Sequence, residues 1–171
     1  MRNFVLVDYA ALLLRVALAL MFFAHAWLKI KVFTPAGSVK YFESLGVPGF
    51  FAYLTMAAEI AGGTLLLLGI ETRWVALLLV PLIAGTIVLV HGKNGWLFSN
   101  KDGGWEYPAF WIVGLLVLAA LGDGAVALGP ALGLSQDPFA DTGQQPQSAS
   151  GGLPLRSRIH IGDGTRLGGL P

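Results

Sequence analysis

No cysteine occurs in the 171 residues, which excludes disulfides, thiolate nucleophiles, iron–sulfur ligation and thiol exchange within this chain. Charge is scarce as well. Only 12% of residues are Asp, Glu, Lys or Arg, the formal net charge is +1, and no block of one sign stands out, so a nucleic-acid role has no electrostatic footprint. The apolar stretches are continuous and do not alternate with polar residues, which argues against a transmembrane barrel.

Hydrophobic residues make up 55% of the chain and mean hydropathy is +0.68, too apolar for an ordinary soluble domain of this length. In a bilayer every backbone polar group must be paired internally, so continuous apolar runs imply helices. Four spans are predicted: Ala10 to Leu28, Phe50 to Leu68, Trp74 to Val90, and Tyr107 to about Leu121. Each approaches the roughly 20 residues that cross a hydrocarbon core. The expectation is an all-α integral membrane four-helix bundle in residues 1–128, with two longer loops on one side, followed by a flexible, disordered C-terminal tail in residues 129–171. Arg2 and Ala24-His25-Ala26 imitate a signal peptide, but Arg15 interrupts the apolar stretch and the run continues to Ile30, which suits an uncleaved helix better.

Lys31 to Gly49 holds two turn-forming stretches around a short amphipathic piece, Val39 to Leu45. Gly69 to Arg73 joins the second and third spans as a tight hairpin, with Gly69 ending one helix and Thr72 as N-cap of the next. His91 to Glu106 is a second polar loop whose Trp96, Phe98, Trp105 and Tyr107 suit interface anchors. Lysines and arginines divide evenly between the two sides, so charge bias does not set the orientation.

An ionisable residue deep in an apolar run costs roughly 2.5 to 3.5 kcal/mol and should face protein or water. Arg15, Phe22, His25 and Lys29 share one face of the first span. Depth counted from the tail-side ends puts Arg15 about 9 Å and Glu59 about 15 Å into the membrane. An Arg15–Glu59 ion pair is therefore expected, with Lys29 snorkelling outward, and Arg15 and Lys29 are the candidate ion-pair or anion-binding groups. His25, His91 and Glu106 lie toward the long-loop side with Glu59 rising from mid-depth. These four are the candidate catalytic residues of one pocket, because two imidazoles and two carboxylates suit proton transfer near neutral pH.

The same set could bind a divalent metal, but no two members lie at i, i+3 or i, i+4, and no metal site is assigned. His91 stands at the edge of its span, which disfavours a bis-imidazole haem; its other reading is a helix-terminal residue beside Gly92. Gly62 and Gly63, one turn beyond Glu59, are predicted to pack helices closely. Pro81 is expected to kink the third span.

In their order and spacing these residues resemble the DoxX family of small four-span bacterial membrane proteins. Arg15, His25-Ala26 and Lys29 look like its opening pattern, and Phe42, Leu45-Gly46 and Pro48 like the loop before its second helix. Glu59, Gly62-Gly63, Leu65 to Gly69 and Thr72-Arg73 match its centre; Gly104-Trp105-Glu106-Tyr107 matches the start of its last helix. Ala19 and Ala26 stand where the pattern carries glycines. The resemblance covers about Leu12 to Leu128 and implies a bacterial inner-membrane protein with both termini cytoplasmic, in a family linked to quinone-dependent thiosulfate oxidation and to oxidative-stress complexes.

Three functional readings follow. One is a redox-associated subunit whose pocket, lined by His25, Glu59, His91 and Glu106 with Arg15 and Lys29 supplying positive charge, takes a quinone or a small anion, with electrons supplied by a partner chain. Another is a non-enzymatic scaffold of a larger membrane complex, and the third a small transporter acting as an oligomer. The partners expected are the lipid bilayer and either other subunits or further copies of the chain.

Overall fold

A computed structural model describes residues 2–134, with side chains from residue 5 onward. The tail from residue 135, expected to be disordered, lies outside the described residues. The first helix, α1, runs over Arg2–Trp27 without a glycine or proline and continues as a π turn, Leu28–Val32. Thr34 starts the next helix, α2 (Pro35–Ser44): its hydroxyl accepts from Gly37 N at 3.2 Å, and Pro35 occupies the first position, where no amide hydrogen is needed. The amphipathic piece in the first loop is thus part of a full helix.

Helix α3 (Phe50–Leu68) ends at Gly69, whose backbone is left-handed at φ 68°, ψ 48°. Ile70 N closes back on Leu65 O at 3.0 Å, the six-residue bond that terminates a helix through such a glycine. Helix α4 (Thr72–Thr86) follows at once and passes into a second π turn, Ile87–His91, and a short 3-10 turn, Gly92–Asn94. Thr72 is not the N-cap expected from sequence. It is the first helical residue, and its N–H is satisfied at 3.0 Å by the carboxylate of Asp123, far along the chain. Helix α5 (Glu106–Leu121) and a single turn, α6 (Leu128–Ala131), complete the described chain. Gly129 is buried, and its N–H binds Gly69 O at 2.9 Å.

Helices α1, α3, α4 and α5 form a closed square: α1 packs on α3 and α5, and α4 packs on the same two. Phe22, Leu66, Leu79, Leu115 and Leu118 fill its centre. The outer surface is more apolar than water allows, with Leu13, Leu78, Val88 and Phe110 each more than 70% exposed. Arg15 and Glu59, by contrast, are 1% and 2% exposed. An apolar exterior around buried charge is the pattern of a protein solvated by lipid. Three helical stretches, Val5–Val32, Phe50–Leu68 and Thr72–Asn94, are long and apolar enough to cross a membrane, and α5 is a shorter apolar helix of 16 residues.

Gly62 and Gly63 sit where α3 meets two different neighbours. A Cβ on Gly62 would stand 2.8 Å from the Leu79 side chain of α4, and one on Gly63 3.1 Å from Phe23 and 3.3 Å from the Ala19 carbonyl of α1. Gly69 has no room either, because a side chain there would meet the Arg15 guanidinium and Ala127. Gly69→Ala is therefore expected to lower stability by more than about 1 kcal/mol, since it combines positive φ with a collision. Gly85→Ala is the control: that position has no neighbour within 4 Å, and a mid-helix alanine should stabilise by roughly 0.5 to 1 kcal/mol. Denaturant unfolding in detergent micelles reads both signs.

Candidate functional site

Lys29 Nζ donates to Glu59 Oε1 at 2.7 Å, joining the end of α1 to the middle of α3. This replaces the Arg15–Glu59 pair expected from sequence. The reason lies in side-chain direction. Helical side chains lean toward the N-terminus of their own helix, and α1 and α3 run antiparallel. Lys29 therefore leans inward and Glu59 leans up to meet it, so Lys29 does not snorkel outward. Arg15 leans in the same direction along α1 as Lys29, and so away from Glu59 toward the hairpin end, where its guanidinium lies against Gly69. That is about 15 Å along α3 from Glu59, at about 1.5 Å per residue. There it donates to the carbonyls of Asp123 (2.7 Å), Ala125 (3.4 Å) and Val126 (3.1 Å), fastening the segment after α5 against the bundle. Asp123 completes the arrangement by capping α4. Its one legible signal in sequence is an acidic residue between two glycines just past an apolar run.

The Lys29–Glu59 pair lines a cavity of about 720 Å³, together with His25, and α2, α3, α4 and the π turn of α1 supply the rest of its wall. This volume falls within the range of ligand sites, and most of the lining is apolar: Leu28, Phe42, Leu45, Phe51 and Leu82, among others. Several of its lining residues are also exposed on the outer surface, among them Phe33, Tyr41, Leu54 and Leu78. Both π turns border it, through Leu28 and Lys29 on one side and Leu89 and Val90 on the other. Such wide turns leave backbone carbonyls without helical partners. One of these, Lys29 O, accepts from Ser38 Oγ at 3.1 Å, which seats α2 directly on the residue that pairs with Glu59. The other carboxylate oxygen, Glu59 Oε2, is buried and has no hydrogen-bond partner among the described residues.

His25, which lines the cavity, donates from Nδ1 to Met21 O at 2.9 Å, and Nε2 is not used in that bond. Its ring stands 4.8 Å from Trp111 at an edge-on angle and 6.3 Å from Tyr107, which locks the imidazole against α5. The other two candidates are elsewhere. His91 Nδ1 binds Gly103 O at 2.9 Å, an oxygen that also accepts from Asn94, and so pins the second loop to the end of α4. Glu106 opens α5 and lines a separate cavity of about 540 Å³ with Trp96, Phe98 and Tyr107. Glu59, Lys29 and His25 thus share one cavity, without His91 or Glu106. Among the described residues, no three His, Cys, Asp or Glu side chains converge as metal ligands would.

The sequence profile of the DoxX family matches residues 10–92, which contain this entire cavity lining. A Bacillus subtilis (strain 168) protein named as a candidate oxidoreductase, CatD, is 32% identical over 72% of this chain and 87% of its own length. The chain belongs to the DoxX family. Two Escherichia coli (strain K12) proteins named as inner membrane proteins are also similar: YqjF, 31% identical over 71% of this chain and 90% of its own length, and YphA, 32% identical over 68% and 86%. No solved structure matches the chain. As a DoxX protein it is a multi-pass membrane protein in direct contact with lipid.

Two double-mutant cycles separate the roles of the cations. Lys29→Met with Glu59→Gln should show a coupling energy above about 1 kcal/mol, because either single change leaves a buried group without its partner. Arg15→Met with Glu59→Gln should be additive within about 0.5 kcal/mol, as expected for distant residues without shared contacts. Unfolding free energies in micelles supply both numbers, and the reverse ranking would contradict the geometry.

Proposed function

We propose that this DoxX protein is a redox-associated subunit of a bacterial inner-membrane complex that takes a lipid-soluble quinone into the α3–α4 cavity. The observation that carries this reading is one cavity with three properties: mostly apolar walls, lining residues such as Leu54 and Leu78 that are exposed on the apolar outer surface, and the Lys29–Glu59 pair with His25 in its wall. A quinone enters from the bilayer and needs no aqueous path, and its ring oxygens require a proton donor and acceptor in an otherwise apolar slot. When bound, it supplies two-electron, two-proton chemistry.

The residues of the chain divide that work. Lys29 offers ammonium hydrogens to a ring oxygen, Glu59 holds or releases a proton at Oε2, and His25 exchanges protons through Nε2 while Met21 O fixes its ring. Electrons come from a partner chain, since no cysteine is available to carry a cluster here. Arg15, His91 and Glu106 are assigned outside the proton path: Arg15 fastens the hairpin end, His91 shapes the second loop, and Glu106 opens α5. The names of CatD, YqjF and YphA support the redox character and the inner-membrane location. With α5 as a fourth crossing, both termini lie on one side, which we assign to the cytoplasm.

Lipid extracts of the purified protein test this proposal. Wild type should carry quinone in near-stoichiometric amount, and Ala58→Phe, which fills the cavity from the α3 wall, should reduce it at least several-fold while the helical circular dichroism is unchanged. Equal amounts in both, or none in wild type, would contradict the proposal.

A further inference from the structure

Resting on the quinone reading of this cavity, we propose that the site discriminates between oxidation states and holds the hydroxyl-bearing quinol more tightly than the quinone. The reason is the hydrogen-bond character of the Lys29–Glu59 pair. Glu59 uses Oε1 for Lys29 at 2.7 Å, and Oε2 is buried without a hydrogen-bond partner among the described residues. A carboxylate oxygen only accepts, whereas the Lys29 ammonium only donates and has hydrogens to spare beyond the one on Oε1. The inner end of the cavity therefore presents an acceptor and a donor side by side.

A quinone carbonyl can use only half of this arrangement. It accepts from Lys29 but has nothing to offer Oε2, and two oxygens with lone pairs then face each other in an apolar enclosure. A quinol hydroxyl satisfies both, donating its O–H to Oε2 and accepting from Lys29. Of the other polar side chains that line the cavity, Ser38 Oγ donates to Lys29 O and Thr86 Oγ1 to Ile83 O, and neither these nor Tyr41 and Thr55 hydrogen-bond to Oε2. A ligand that expels water without donating to Oε2 leaves that oxygen unpaired, and sites built around a hydroxyl reject analogues lacking it by large factors for this reason.

The test compares a short-chain benzoquinone, its two-electron-reduced quinol kept under anaerobic reductant, and the dimethyl ether of that quinol. Each is titrated calorimetrically into quinone-depleted protein in nanodiscs. The quinol should bind at least about tenfold more tightly than the quinone, and the ether, which keeps the ring but has no O–H, should bind no better than the quinone. In Glu59→Gln, whose amide both donates and accepts, the quinol-to-quinone ratio should fall to within about twofold. Equal affinities for quinol and quinone in wild type would overturn the selectivity while leaving the quinone site standing. So would an ether that binds as well as the quinol, or a preference that persists in Glu59→Gln. Failure of all three compounds to bind would overturn the quinone reading itself.

Discussion

The ion pair between Lys29 and Glu59 is the constraint around which this protein is arranged. A carboxylate near the middle of α3 cannot face lipid, and a buried charge without a partner is strongly destabilising, by roughly 3 to 5 kcal/mol when one member of such a pair is removed. The pairing fixes the register of α1 against α3, which Gly63 permits by letting Ala19 and Phe23 come close. It also reaches α2, because the residue that supplies the ammonium presents its carbonyl to Ser38. The polar end of the cavity and the helix that covers it are therefore parts of one connected unit.

Arg15 meets the same problem at the other end of the bundle with a different solution. Among the described residues its guanidinium has no carboxylate within ion-pair distance but donates to carbonyls of the segment after α5, while the nearby Asp123 caps α4. Backbone dipoles thus solvate a buried cation, and the hairpin end closes tightly around Gly69. The two ends have opposite properties: one is stitched shut by backbone contacts, the other keeps a cavity bordered by two π turns. This division lets a membrane bundle of modest size combine a firm base with a ligand-sized space.

Much of this was legible in the residues. Apolar runs of the right length, separated by glycine- and proline-bearing loops, mark the helices, and the cost of burying Glu59 points to a position that the structure buries in an ion pair. The family is legible too, because the order and spacing of Arg15, Lys29, Glu59 and the glycine pair carry the DoxX resemblance. The partner of Glu59 was not, since depth counted from span ends ignores the lean of each side chain. That lean sends Arg15 and Lys29 in the same direction along α1 and so brings only Lys29 to Glu59. Shared depth on one side of the membrane suggests grouping His91 and Glu106 with Glu59, but depth does not fix lateral position. The hydrogen bonds of the second loop decide their positions, and no helical periodicity encodes those bonds. The cap that Asp123 gives Thr72 joins residues distant in sequence and has no local signature beyond the flanking glycines.

The functional reading depends on Glu59 being present as a carboxylate held by Lys29 within the apolar bundle, with one oxygen left for a ligand. Infrared difference spectroscopy in nanodiscs, comparing wild type with Glu59→Gln and Lys29→Met, observes that group directly. The account predicts that Glu59→Gln removes an ionised carboxylate band and that Lys29→Met converts this band into a protonated carboxylic acid band. A protonated Glu59 in wild type that does not respond to Lys29→Met would contradict it.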